Sequence, residues 1–352
     1  MKELIKQIHE IIKDYRREDL NFLYRQEITE THIENWINQF DENDREFLLT
    51  ELLHLLPNSY LSKDNTLDII GKEFEVYKTD FKYKSVQDFL KVTKFIKCQG
   101  AGKSQTKLLE FTNEIIQELY GMSLDDCGKD EIQNWMYVDD VIASGGTFRN
   151  EIYNEIENFG IDKFKESSIR IISTSFILHN WGKNNATYVL RQRLGYSVEN
   201  RIHYYRVKTI DNNPHINWYH QNPEFNHVYP IESDIGKEFL DFIENAFDRE
   251  YDMKNEKHAF RNSEYPREEM FYSSKENRIR YENILLKKGI DIINDIDKLT
   301  VPSIRPLGLA PPSHKTLGTG SHFFSWRNIS NTCPLVFWWE TNGWIPLLPR
   351  KH

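Results

Sequence analysis

The run Trp135-Met136-Tyr137-Val138-Asp139-Asp140-Val141-Ile142-Ala143-Ser144-Gly145-Gly146-Thr147 changes character twice within a short span. Four large side chains in succession read as the end of a strand buried on both faces. Two carboxylates, Asp139 and Asp140, follow where such a strand leaves its sheet. A small-residue turn, Ser144-Gly145-Gly146-Thr147, comes next. Beyond it Phe148, Ile152, Ile156 and Phe159 recur at helical spacing, with charged residues between them. Strand, acidic pair, glycine turn and helix make half of a βαβ unit with a phosphate cradle at its carboxyl end.

The chemistry follows from the parts. Gly145 and Gly146 can adopt backbone angles closed to other residues, which lets several N–H groups turn toward one anion. Ser144 and Thr147 add hydroxyl donors, and the following helix adds its positive end. Such a cradle suits a phosphate monoester. Asp139 and Asp140 would repel that phosphate, so they are expected to face sugar hydroxyls or a hydrated magnesium ion. A sugar phosphate with free 2′ and 3′ hydroxyls meets both demands.

Four hydrophobic residues, an acidic pair, a short spacer and a Ser-Gly-Gly-Thr end resemble the 5-phosphoribosyl-1-pyrophosphate (PRPP) signature of type I phosphoribosyltransferases. Ala143 stands where that signature often has Thr. The resemblance implies an α/β fold with a mostly parallel sheet flanked by helices, and a PRPP- and magnesium-dependent transfer of a 5-phosphoribosyl group. It implies that residues Ala143, Ser144, Gly145, Gly146 and Thr147 hold the 5-phosphate, and that Asp139 and Asp140 hold the ribose hydroxyls and the metal. In that family the loop after the first strand grips the pyrophosphate. Gly100-Ala101-Gly102-Lys103-Ser104 lies at the matching place in the order, with Lys103 to neutralise the leaving group, although the more usual form is Arg-Gly-Gly. The same stretch falls short of a P-loop, because the glycine required five residues before Gly102 is Lys97. Another phosphate contact or a plain turn stays open for it.

Bulk properties narrow the classes. The chain has 352 residues, 39% hydrophobic and 28% charged, which is globular in balance and long enough for two domains. A net charge of −9 argues against a general nucleic-acid-coating surface. Three cysteines, Cys98, Cys127 and Cys333, form no CxxC pair, which argues against structural zinc and suits a reducing compartment. The charged start and the lack of a long apolar stretch lead to the expectation of a cytoplasmic protein without membrane contact.

Apolar stripes predict helices through residues 1–88: Leu4 to Tyr15, Ile33 to Phe40, and Leu48 to Leu56, with Pro57-Asn58-Ser59 ending the third. At this spacing Trp36 reads as core. We expect a helical domain over 1–88 and a phosphoribosyltransferase-like domain over 89–352. Strands are predicted within 89–98, 169–178 and 203–207, with a helix over 108–119. A helical insertion is expected at about 235–298, with Pro/Gly-rich turns from Arg305 and a late strand at Leu335-Val336-Phe337-Trp338-Trp339.

A third polar patch spans Arg305 to Gly308, Gly318 to His322 and Trp326 to Pro334. Arg327, Asn328 and Asn331 are its candidates for contact with an acceptor, and turn capping is the plainer reading. This run and the Trp36 region resemble a phosphoribosyltransferase-like effector branch linked to bacterial conflict and anti-phage systems. That resemblance implies a toxic effector with an unidentified acceptor, restrained by a regulatory protein or nucleoprotein partner. His179 and Lys183, beside a predicted strand end, are further candidates for which structural roles compete. The alternative function is a PRPP or nucleotide sensor without turnover, and a nucleotide hydrolase using residues 100–104 is a third.

Overall fold

The computed structural model describes residues 1–17, 27–98, 104–247, 258–341 and 343–351. The chain forms two compact units, one of residues 1–63 with 211–352 and one of residues 64–210. The divisions fall at 63 and 210, not at the expected boundary of 88.

The first unit begins with three helices, α1 (Lys2–Ile12), α2 (Glu30–Ile37) and α3 (Glu42–Ser59), followed by a short strand β1 (Tyr60–Leu61). Their apolar stripes are as expected: Ile5, Ile8 and Ile12 of α1, Ile33, Trp36 and Ile37 of α2, and Leu48, Leu52, Leu55 and Leu56 of α3 are buried. α3 ends at Ser59, inside the expected Pro57-Asn58-Ser59 stop, with Pro57 tolerated in its last turn. So close to the end of a helix, the missing N–H removes a single bond.

The second unit is the α/β body. Helices α4 (Lys63–Asp80) and α5 (Val86–Lys91) lead into β2 (Thr93–Phe95), α6 (Ser104–Tyr120) and β3 (Asn134–Ile142). Then come α7 (Gly146–Phe159), α8 (Ile161–Glu166), β4 (Arg170–His179), α9 (Asn180–Leu194) and β5 (Ile202–Ile210). The four strands lie in the order β2-β3-β4-β5, and every pair is parallel. On one face Trp135, Tyr137 and Ile171 pack with Phe148, Ile152 and Ile156 of α7 and with Ala186, Leu190 and Leu194 of α9. On the other, the Tyr77 hydroxyl of α4 bonds the Thr174 hydroxyl at 2.8 Å, and its ring meets Tyr205 edge-on at 4.8 Å. Cover on both faces explains why β3 and β4 read as nearly continuous apolar runs. The expected α/β fold with a parallel sheet flanked by helices is thus observed.

After Asp211 the chain returns to the first unit. It adds α10 (Asp234–Ala246), α11 (Lys275–Asn294) and β6 (Phe324–Ser325), which pairs in parallel with β1. The helices expected within 235–298 exist, but they belong with the N-terminal ones. The terminal segment covers α1 and α2. Trp36 Nε1–H donates to Val336 O at 3.0 Å, and its ring stacks on Phe337 at 5.9 Å. Gln39 both accepts from and donates to the Ile345 backbone, and the Tyr15 hydroxyl donates to Pro349 O at 2.9 Å. The late strand expected at 335–339 is instead a 3-10 turn, Leu335–Phe337, with all three side chains buried. Its apolar residues fill the core without joining a sheet. Among the described residues no helix is long and apolar enough to cross a membrane.

Candidate active site

β3 sits inside the sheet between β2 and β4, and it carries Asp139 and Asp140 to the sheet's carboxyl end. Asp139 is only 6% exposed, whereas Asp140 is half-buried. Both Asp139 oxygens are engaged: Oδ2 accepts from the Tyr137 hydroxyl at 2.9 Å, and Oδ1 accepts from the Asp140 N–H at 2.9 Å. Asp140 Oδ1 accepts from the Val141 N–H at 2.9 Å. Burial, and then the neighbouring Asp140 charge, hold the Asp139 carboxyl well above the usual carboxylate range. Burial also raises the Tyr137 hydroxyl, with Asp139 adding to the effect, so it remains a donor. Glu151 of α7 acts on the same hydroxyl and is itself raised, by burial. Across the sheet, Ser175 stands in register with Asp139; it is buried, and its hydroxyl makes no hydrogen bond among the described residues.

The turn after β3 has the geometry an anion needs. Gly145 has φ +72°, in the left-handed region that favours glycine, and it is the N-cap of α7. No side chain caps that helix, and no acidic residue stands in its first turn. Beyond Gly146, the N–H groups of its first turn and its positive end therefore remain for an outside acceptor. Ser144 Oγ accepts from the Gly146 N–H at 3.3 Å, which closes the turn. The turn is braced from behind by the start of α9. A Cβ on Gly145 would lie 2.2 Å from Gly182 O, and a Cβ on Gly182 would lie 1.9 Å from Ala143 O. The Asn185 side-chain amide donates to Ser144 O at 3.4 Å.

The structure therefore brings Asp139, Asp140 and residues Ala143, Ser144, Gly145, Gly146 and Thr147 together at one strand end. Gly100, Ala101, Gly102 and Lys103 lie outside the described residues, and Ser104 opens α6. Across that segment the Cys98 N–H donates to Gln105 Oε1 at 3.0 Å. Arg327, Asn328 and Asn331 belong to the other compact unit. There the Asn328 side chain bonds the Lys351 backbone in both directions, and the Asn331 main-chain carbonyl accepts from the Leu309 N–H. His179 is fully buried, and burial pushes its pKa down to about 3, so it is a neutral core residue. Lys183 places its ammonium 5.5 Å from the centre of the Tyr204 ring.

Two contributors were not singled out in the sequence. Tyr137 holds a hydroxyl at a position where the signature asks only for an apolar side chain. Gly182 is marked merely as a glycine inside a helical stretch.

The fit to magnesium is one-sided. Among the described residues no group of three or more His, Cys, Asp or Glu side chains is placed to hold a metal ion. Asp139 and Asp140 alone, each oxygen of Asp139 already accepting one hydrogen bond, offer two carboxylates to such an ion.

A family model described as PRTase-CE matches residues 33–350, nearly the whole chain. No curated protein matches the chain, and no solved structure does.

Proposed function

The chain belongs to the PRTase-CE family, and on that premise we propose that it binds PRPP at the β3–α7 turn and transfers the 5-phosphoribosyl group to an acceptor. The observation that carries this reading is the junction itself. An acidic strand end runs straight into an uncapped helix start with a left-handed glycine as its cap.

The turn from Ala143 to Thr147 holds the 5-phosphate with backbone N–H groups and the helix end. The acidic strand end faces the ribose hydroxyls, and Asp140 offers negative charge there as the ring becomes oxocarbenium-like. In the transfer the C1–oxygen bond to pyrophosphate breaks and its electron pair leaves with pyrophosphate. A bond forms from C1 to a nitrogen or oxygen of the acceptor, which gives up a proton. Magnesium enters this proposal as an ion carried by the pyrophosphate, where it neutralises charge on the leaving group. Lys103 is proposed to assist there. Positioning and electrostatics suffice, so no covalent nucleophile is required.

The family's effector character supports a role in bacterial conflict, with a toxic outcome and a restraining partner. A cytoplasmic location belongs to the same proposal. The test is calorimetric titration of the protein with PRPP and magnesium, beside Asp140→Asn. We expect at least a tenfold loss of affinity in the variant, together with loss of pyrophosphate release and of growth arrest on expression. Unchanged affinity in Asp140→Asn would sink the reading.

A second reading, a PRPP sensor without turnover, is favoured by one observation: the inward commitment of Asp139 leaves a single carboxylate toward a ligand. Tight PRPP binding without pyrophosphate release would select it.

A further inference from the structure

We propose that Tyr137 is a positioning residue that turns Asp139 into the strand interior, so that Asp140 alone meets the sugar hydroxyls. The inference rests on the sugar-phosphate reading above and assigns different tasks to the two carboxylates.

The argument begins from a misfit. Tyr137 occupies a position on a fully buried sheet face, packed among Trp135, Phe148, Ile152 and Ile156. Phenylalanine would fill that face without a polar atom to satisfy, because a buried hydroxyl needs a partner. The Tyr137 hydroxyl finds one two residues along the same strand, on the same side of the pleat, and Glu151 of α7 bonds the same hydroxyl. The hydroxyl donates to Asp139 Oδ2 at 2.9 Å. The ring is held by the Phe148 ring, edge-on at 5.1 Å, at the start of α7. The hydroxyl therefore cannot swing toward solvent without disturbing the helix that carries the phosphate turn.

The other Asp139 oxygen is fixed by the Asp140 backbone N–H at 2.9 Å. A carboxylate held at both ends and 6% exposed has one rotamer and little reach. Asp140 has its backbone pinned by donating that bond, while its own side chain is more exposed. Tyr137, Asp139 and Asp140 thus form a short chain: a buried hydroxyl fixes a buried carboxylate, and that carboxylate fixes the backbone of the residue facing the ligand. Ser175, in register with Asp139, makes no hydrogen bond among the described residues, so it offers no substitute for the tyrosine.

The experiment compares ribose 5-phosphate, 2-deoxyribose 5-phosphate and inorganic phosphate as calorimetric ligands. The proteins are the full chain, Tyr137→Phe, Asp139→Asn and Asp140→Asn, with folding checked by circular dichroism. The full chain is expected to prefer ribose over 2-deoxyribose. Asp140→Asn should abolish that preference. Tyr137→Phe should weaken ribose 5-phosphate binding by about tenfold, as loss of one buried hydrogen bond does, and leave inorganic phosphate binding unchanged. If Tyr137→Phe keeps both affinity and preference, the positioning role is overturned and the sugar-phosphate reading survives. Equal loss of preference in Asp139→Asn and Asp140→Asn overturns the division of tasks. If the full chain binds none of the three ligands, the sugar-phosphate reading fails, and with it the assignment of Asp140. The clamp is then judged by thermal unfolding of Tyr137→Phe, Asp139→Ala and the double variant, where additive effects would overturn it and a smaller tyrosine effect without Asp139 would uphold it.

Discussion

Gly182 is the residue at which the site depends most on contact across the chain. It lies in the first turn of α9, where glycine is a poor helix former and a sequence offers no reason for it. In the fold, the Ala143 carbonyl oxygen occupies the space that a side chain would need. Gly182→Ala must therefore push α9 away from the phosphate turn. We expect a loss of about 1–3 kcal/mol in stability and at least a tenfold fall in sugar-phosphate affinity, measured by thermal denaturation and calorimetry on the same samples. A variant that loses stability but binds as before would show that the brace does not shape the turn.

At the scale of elements, α7 starts as α8 and α9 do, without a side-chain cap, and unlike several helices elsewhere in the chain. α2, α10 and α11 begin with Thr29, Ser233 and Ser274, and each of these side chains accepts a bond from the helix backbone. α7 begins with Gly145 and has no such bond. A glycine cap gives up only about a few tenths of a kcal/mol against Ser or Thr, and it leaves the helix end open to an anion. Thr147→Asp tests this trade. A carboxylate in the first turn is expected to stabilise the helix by about 0.3–1 kcal/mol, and to lower phosphate and PRPP affinity more than tenfold through repulsion. Denaturation and calorimetry should move in opposite directions. Unchanged binding with raised stability would place the anion elsewhere.

The whole molecule responds to pH through groups buried in both units. His322 is fully buried beside the Tyr281 hydroxyl at 2.9 Å, and burial pushes its pKa down to about 3 from the ordinary 6.5. His179 in the sheet unit is shifted to the same value by burial. Each is neutral in the folded chain and takes up a proton when unfolded once the pH falls below about 6.5. The unfolded state then binds more protons, so stability is full above that pH and declines toward about pH 3 as acid is added. Each histidine contributes a slope of about 1.4 kcal/mol per pH unit inside the window. Thermal denaturation between about pH 7 and pH 5 should show the decline, and His322→Asn should flatten it. An equal slope in the variant would mean that His322 is not the group that titrates.

Local pattern determined a good deal of this protein. The strand, acidic pair, glycine turn and amphipathic helix from Trp135 to Phe159 were legible because each depends on neighbours in sequence: alternation or continuity of apolar residues, small residues at a turn, and helical spacing. The apolar stripes of α1 to α3 and the core position of Trp36 were legible for the same reason. What covers those stripes was not. The segment that seals Trp36 comes from the other end of the chain, and this is why a boundary at residue 88 differs from the compact units observed. The run at 335–339 is strongly apolar whether it pairs in a sheet or fills a core, so only packing against α2 made it a turn. Within the site, the sequence named both carboxylates, but it left open which of them faces a ligand. Only the fold set Tyr137 against Asp139 through a buried hydrogen bond and Gly182 against Ala143 through a backbone contact, and neither leaves a mark in composition or spacing.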